Sequence, residues 1–365
     1  IRKIGFVSRF LPPVSDSFVP CPPHIALISE NTLPNTREGV TVEDISLANC
    51  YTGIVFSVGD KLEDNYPALN GPNDLSKSCG RHRIHHIMGG PLYRGVVLKG
   101  MLDTVDVSNC QFNYSCYETT YCRARTEHAA DLFLSRGDGI CISNCLSYGA
   151  YHGLKTEASF KNNNGTCSFR LSNSNFEGIV PLALHSGGLY EISNCYFLTT
   201  HPLGVHPDTL SACLQIVQPE SCVHNPFIAV GNCVFQNGVS SRDCGRSVAL
   251  DIRLRCGAFP VVSACQFWGW GGDDPVVRFQ KSEKPAGALT LSSCVFTGSG
   301  GVDTPPSRTP AALARAGGDG YREGDLLFVN CRIPAALVDA ESRRGVWYEN
   351  CVLYDDEGTN TRFSL

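Results

Sequence analysis

The feature that most restricts this 365-residue chain is an Asn-Cys pair that returns inside one alternating apolar frame. It stands in DISLANCYT at Cys50, VDVSNCQF at Cys110, ICISNCLS at Cys145, YEISNCYF at Cys195 and IAVGNCVF at Cys233. Further copies are VVSACQF at Cys265, LTLSSCVF at Cys294, LFVNCRI at Cys331 and WYENCVL at Cys351, while FRLSNSNF carries Ser174 in place of the cysteine. Self-similarity of this kind overrides local guesses about structure. Side chains of a strand alternate between faces with a period of two. Val105, Val107 and Asn109 share one parity and Cys110 and Phe112 the other, and the same switch recurs at Asn194, Asn232 and Asn330. A continuous strand cannot change phase, so the chain turns a corner at Asn. After Gly, Asn best tolerates the left-handed conformation that a one-residue corner demands. The corner positions read this way are 49, 109, 144, 173, 194, 232, 330 and 350, with Ala264 and Ser293 as exceptions.

Spacing between corners is irregular, which fits a constant short coil with loops of varying length. Apolar stretches precede several corners across a turn: GVVLKG (95–100), IVPLALHSGG (179–188), SVALDIRL (247–254) and PVVRFQ (275–280). Three short strands per coil is the pattern of a right-handed parallel β-helix, an all-β solenoid built on an Asn-Cys corner ladder. A β-sandwich is the alternative, but the Asn-Gly and Asp-Gly signals of its hairpins are few. Stacked coils lie about 4.8 Å apart with parallel Cβ vectors, whereas a disulfide wants Cβ atoms about 3.8 Å apart. The ladder thiols are therefore expected to stay reduced as small apolar core residues. Among the 19 cysteines, those off the ladder are open to pairing.

A single solenoid is expected over 39–365, preceded by an irregular Pro-rich lead-in at 1–38. Loop insertions are expected near 60–92, 113–130, 199–212 and 297–324, the last with a short helix at AALARA (311–316). The chain begins at Ile1 without Met and so reads as processed or truncated. A net charge of −5 offers no basic stripe, which argues against a nucleic acid partner. No run approaches the roughly 18 apolar residues of a membrane-spanning helix, so no membrane partner is expected. No Cys spacing matches a metal site. The tandem acids Asp273-Asp274 and Asp355-Asp356 leave calcium open as a cofactor without a specific signature, and turn chemistry accounts for both pairs.

The coil pattern resembles the pectate-lyase-like right-handed parallel β-helix superfamily, which includes polysaccharide lyases, glycoside hydrolases and phage tailspikes. The segment GGPLYRGVVLKGMLDTVDVSNCQFN (89–113) carries the resemblance most clearly, and the pattern spans about 40–354. The resemblance implies an acidic polysaccharide cleaved by a lyase or hydrolase, an extracellular or cell-surface setting and often a homotrimer. Alternation along the strands upstream of the corners places Lys99, Asp131, Lys155, Gln215, Asp251, Arg253, Arg278 and Gln280 on the outer face. Of these, Asp251, Arg253 and Arg278 would be neighbours in successive coils, able to bind a uronate and move a proton. A second cluster, Asp138 in SRGDG with His152 and Lys155 in YHGLK, is similar in order to the catalytic residues of polygalacturonase-type hydrolases. It lacks their paired aspartates and Arg-x-Lys motif. Lys99 and Asp131 are candidate substrate contacts, and Trp268 and Trp270 would be sugar platforms if the chain is instead a non-catalytic glycan-binding or adhesion fibre.

Overall fold

The phase switch is a corner. In the computed structural model, Asn109, Asn144, Asn173, Asn194, Asn232, Asn330 and Asn350 hold φ between 50° and 54°, and Ala264 and Ser293 fall in the same range. The structure describes residues 2–7, 25–31, 39–48, 50, 52–58, 80–101, 103–113, 129–157, 167–200, 208–218, 227–238, 246–255, 257–270, 274–282, 287–297, 312–340, 342–343, 345–355 and 359–364.

One coil runs through Arg246–Leu254, Val261–Ser263, the corner at Ala264 and Gln266–Trp268. We call these three strands upstream, pre-corner and post-corner. The next coil repeats them as Val277–Lys281, Leu289–Ser292 and Val295–Phe296, with Leu250 opposite Val277, Val262 opposite Leu291 and Phe267 opposite Phe296. Each strand thus pairs in parallel with its counterpart one coil along, and the chain is a right-handed parallel β-helix. In places two strands merge: Leu146–Glu157 and Asn175–His185 each run from the post-corner sheet of one coil into the upstream sheet of the next. The last strand, Asn360–Phe363, folds back antiparallel on Cys351–Tyr354.

Directly after the corner, Cys110, Cys145, Cys195, Cys233, Cys265, Cys294, Cys331 and Cys351 are buried, and every cysteine among the described residues is a free thiol. Each thiol donates to the carbonyl two residues before it, as Cys195 does to Ser193 at 3.1 Å. Ser174 does the same to Ser172 at 2.8 Å and also accepts the Cys145 amide at 3.1 Å, so its hydroxyl fits the ladder. Two residues on, Phe176, Phe197, Phe235, Phe267 and Phe296 form a column with ring centroids 4.4–6.2 Å apart, Phe176 edge-on to Phe197 and the rest stacked. On the outer side of the corner, Asn350 Nδ2 donates to Asn330 Oδ1 at 2.7 Å.

Several expectations need correction. Asn49 lies outside the described residues, and Cys50 is buried but off the ladder. In that coil the corner is Asp44, and in the next it is His86, both with φ of 55°. His85 faces Ser108 and Met88 faces Gln111, which sets His86 level with Asn109. The alternation was already there, Val42 then Ile45 and Leu47, but without the dipeptide. The lead-in at 1–38 is not wholly irregular: Arg2–Val7 pairs in parallel with Thr41–Ala48, and Ile25–Asn31 with Thr52–Val58. The stretches 59–79, 114–128, 201–207 and 298–311 of the expected insertions lie outside the described residues. Their margins are coil strands, among them His82–Gly90 and Leu210–Val217. The expected helix at 311–316 gives way to a strand, Ala314–Gly317, paired with Val277–Lys281. There Ala314 faces the core and Arg315 faces out, a period of two that overrides the helical propensity of alanine.

Candidate functional site

The outer face of the upstream sheet carries a polar strip, because successive coils set equivalent positions in register. Lys155 lies opposite Ala183, Ala183 opposite Gln215, Gln215 opposite Asp251, Asp251 opposite Arg278 and Arg278 opposite Arg315. Lys155 and Ala183 at one end are buried, Ala183 in an apolar cluster with Ile179 and Val180, so the polar part of the row runs from Gln215 to Arg315, three coil steps or about 14 Å. Two residues along each strand a second row begins, with Glu157 opposite His185 and Arg253 opposite Gln280.

Asp251 stands at the centre and has no exposed surface despite its outward position. A buried carboxylate persists only when paired and hydrogen-bonded. Its Oδ1 accepts Arg278 Nε at 2.7 Å, and its Oδ2 accepts Arg253 Nη2 at 3.0 Å and Gln215 Nε2 at 3.1 Å. Burial pushes the carboxyl up, but Arg278, Arg253 and Gln215 together outweigh it and hold the group below its ordinary value. Asp251 is therefore a fixed anion. Arg278 keeps one buried nitrogen, Nη2, with no hydrogen-bond partner among the described residues.

This anion sets the polarity of its neighbours. An ionised carboxylate only accepts, so Gln215 turns its amide nitrogen to Asp251 and its Oε1 to His185 Nε2, 2.7 Å away. His185 must donate from Nε2, which leaves the lone pair on Nδ1. Burial first, and then the Lys155 ammonium, lower the His185 pKa to about 4. The imidazole is neutral at pH 7, with its free lone pair on Nδ1.

The structure unites Asp251, Arg253 and Arg278 as expected and adds Lys155 through its effect on His185. It does not unite the second cluster. Asp138 lines a separate depression with Arg170 and Glu191 on the pre-corner sheet. His152 is buried, with Nδ1 3.2 Å from the Val180 carbonyl and its ring 6.5 Å from that of His185. Lys99 and Asp131 are fully buried, which removes them as substrate contacts. The upstream sheet is covered on its outer side at those coils, where Val55, Val97, Ala130 and Phe133 form an apolar cluster of their own. Asp131 sits at the bend into the upstream strand, a position where a Cβ on Gly95 or Gly153 would meet the Phe112 or Phe176 ring. It faces inward there and accepts the Ser147 hydroxyl at 2.6 Å, at the one interruption of the phenylalanine column.

Trp270 is buried and donates to the Phe235 carbonyl at 3.1 Å, so it is a packing residue. Trp268 is 45% exposed but stands on the post-corner sheet opposite Gln236, away from Asp251. Asp274 is engaged by Arg246 at 2.8 Å and Asp355 accepts the Thr359 amide at 2.8 Å; Asp273 and Asp356 lie outside the described residues. Among the described residues no group of three His, Cys, Asp or Glu side chains converges to hold a metal. None of their helices is long and apolar enough to cross a membrane. His185 and Glu157 were missed, although the parity that selected Gln215 also selects His185 within IVPLALHSGG.

No protein-family model and no curated protein matches the chain. Among solved structures, it is similar to the tailspike protein gp49 of Acinetobacter baumannii bacteriophage Fri1, a capsular polysaccharide depolymerase. The identity is 11% and the TM-score 0.43, and the match covers 88% of this chain. The chain spans 58% of the length of that tailspike.

Proposed function

We propose that this chain is a polysaccharide lyase that lays an acidic, uronate-containing chain along the polar strip, with His185 as the base. The observation that carries this reading is the relay from Asp251 through Gln215 to His185, which fixes the imidazole tautomer with its lone pair on Nδ1, while burial and the Lys155 ammonium keep the ring neutral. The Arg253 guanidinium, whose side chain is 38% exposed, would receive the uronate carboxylate, with Arg278 holding Asp251 behind it. That charge would offset the Lys155 ammonium and strengthen His185 as a base when substrate is bound. His185 Nδ1 takes the C5 proton, the electron pair forms the C4–C5 double bond, and the C4–O4 bond breaks, the departing oxygen taking a proton from solvent. Hydrolysis is less well served, because it needs a carboxylic acid that can donate, and Asp251 is held ionised. The non-catalytic fibre reading loses one of its two platforms with Trp270 buried.

An extracellular or cell-surface setting and a homotrimer go with this proposal, and sedimentation tests the second. The deciding experiment incubates the protein with polygalacturonate, alginate and hyaluronate and reads ultraviolet absorbance of unsaturated ends beside total reducing ends. Both should rise together. His185→Ala should lower kcat by about 10²-fold or more with the fold intact. Reducing ends without absorbance, or an unimpaired His185→Ala, would overturn the lyase assignment.

A further inference from the structure

A different face of the solenoid carries a second groove. The outer side of the pre-corner sheet bears depressions of about 580 Å³ and 210 Å³ that share Thr104 as a wall. Arg83, His85, Asp106 and Ser108 line the larger one, and Asp138, Arg170 and Glu191 the smaller. Register makes them one channel. Thr41 faces Arg83, Arg83 faces Asp106, Asp106 faces Cys141, Cys141 faces Arg170, and Arg170 faces Glu191. These five coil steps span about 24 Å.

Most polar groups of this channel are already engaged with one another. Arg170 pairs with Glu191 at 2.7 Å. Ser108 Oγ donates to Asp106 Oδ2 at 3.2 Å and lies 3.2 Å from His85 Nδ1. Arg83 and Asp138 are the exceptions: both are exposed and neither side chain has a partner among the described residues. At the far end the surface turns apolar. Leu189 faces Phe227, and Phe259 follows two residues ahead of Val261, as Phe227 stands two ahead of Ala229, the partner of Val261. These three side chains are 58%, 52% and 55% exposed, an apolar stripe rather than scattered residues.

We propose that this channel is a second, non-catalytic binding site for an acidic polysaccharide. An open row of hydroxyls, carboxylates and guanidiniums matches the hydroxyl edges of an extended sugar chain, and exposed rings and aliphatic groups match its apolar faces. The unpaired fork of Arg83 takes a carboxylate in bidentate fashion. The site shares only its ligand class with the catalytic reading above and needs no chemistry at Asp251.

Affinity electrophoresis of the full chain in gels containing polygalacturonate, alginate or hyaluronate tests it, with activity assays on short oligosaccharides alongside. Arg83→Ala should weaken retention roughly tenfold or more, the weight of one charge-assisted pair, and leave oligosaccharide cleavage unchanged. Phe227→Ala with Phe259→Ala should weaken it further, whereas His185→Ala should abolish cleavage and leave retention intact. Retention that depends on Arg83 in a protein that cleaves nothing would sink the lyase reading and keep this one. Cleavage by a protein whose retention ignores Arg83 would do the reverse. No retention on any of the three polymers would overturn the proposal. So would a Phe227/Phe259 variant that changes only the sedimentation coefficient, since the stripe would then be an interface between copies of the chain.

Discussion

At Asp251 a carboxylate stands on the outer side of a sheet and yet meets no solvent, so its partners govern its energy. Removing one member of a buried ion cluster leaves an uncompensated charge, a loss of about 3–5 kcal/mol. His185 couples this cluster to pH. Its pKa is lowered from 6.5 to about 4, so the unfolded chain binds a proton that the folded chain refuses between those values. Stability from this group is fully present above pH 6.5 and is lost as pH falls toward 4. The slope is about 1.4 kcal/mol per pH unit. Asp251 is also lowered, but its contribution is present above its unfolded value of 3.8 and is lost only below it, outside this window. Urea midpoints measured from pH 7 to pH 4 should therefore fall more steeply for the native protein than for His185→Gln. Parallel curves would mean that His185 is not held neutral by the fold.

At the scale of the element, the corner explains both what the sequence disclosed and what it hid. Asn-Cys was legible because one residue type answers the left-handed backbone and the next fills the core. Asp44-Ile45 and His86-Ile87 meet the same geometry with other residues, so the dipeptide does not mark them, and Asn49-Cys50 carries the dipeptide away from the corner. The strip at Asp251 was legible from parity. The burial of Lys99 and Asp131 was not, since alternation assigns a face without saying what covers it, and the bend before Leu132 resets the phase. Ala264 tests the corner directly. A non-Gly, non-Asn residue in this conformation costs roughly 1–2 kcal/mol, and its neighbours Asn232 and Ser293 are level with it. Ala264→Asn should raise stability by about 1 kcal/mol, read as a higher urea midpoint with an unchanged slope. No gain would mean that the corner is set by the strands on either side and not by the residue in it.

Among the described residues, the strands of each coil pair in parallel with those of the coils before and after it, and a contact that skips a coil, as from the Tyr354 hydroxyl to the Phe296 carbonyl at 2.6 Å, adds to a stability built mainly of local terms and nearest-neighbour contacts. The phenylalanine column is the main longitudinal contact of the post-corner sheet. Phe267 lies fully buried between Phe235 at 5.0 Å and Phe296 at 4.4 Å, both stacked. Its truncation removes two ring contacts and opens a cavity, a change worth about 3–5 kcal/mol. In a globular core that loss would be shared by the whole domain. In a solenoid it should stay near its origin, because Ser147 already separates the Phe112 end of the column from Phe176 onward. Hydrogen exchange on Phe267→Ala should show lost protection in 227–238, 261–268 and 289–296, with 94–101 and 105–112 as protected as in the native chain. Uniform loss along the chain would show that the coils unfold as one unit, and the two proposed binding faces would then rise and fall together under any core mutation.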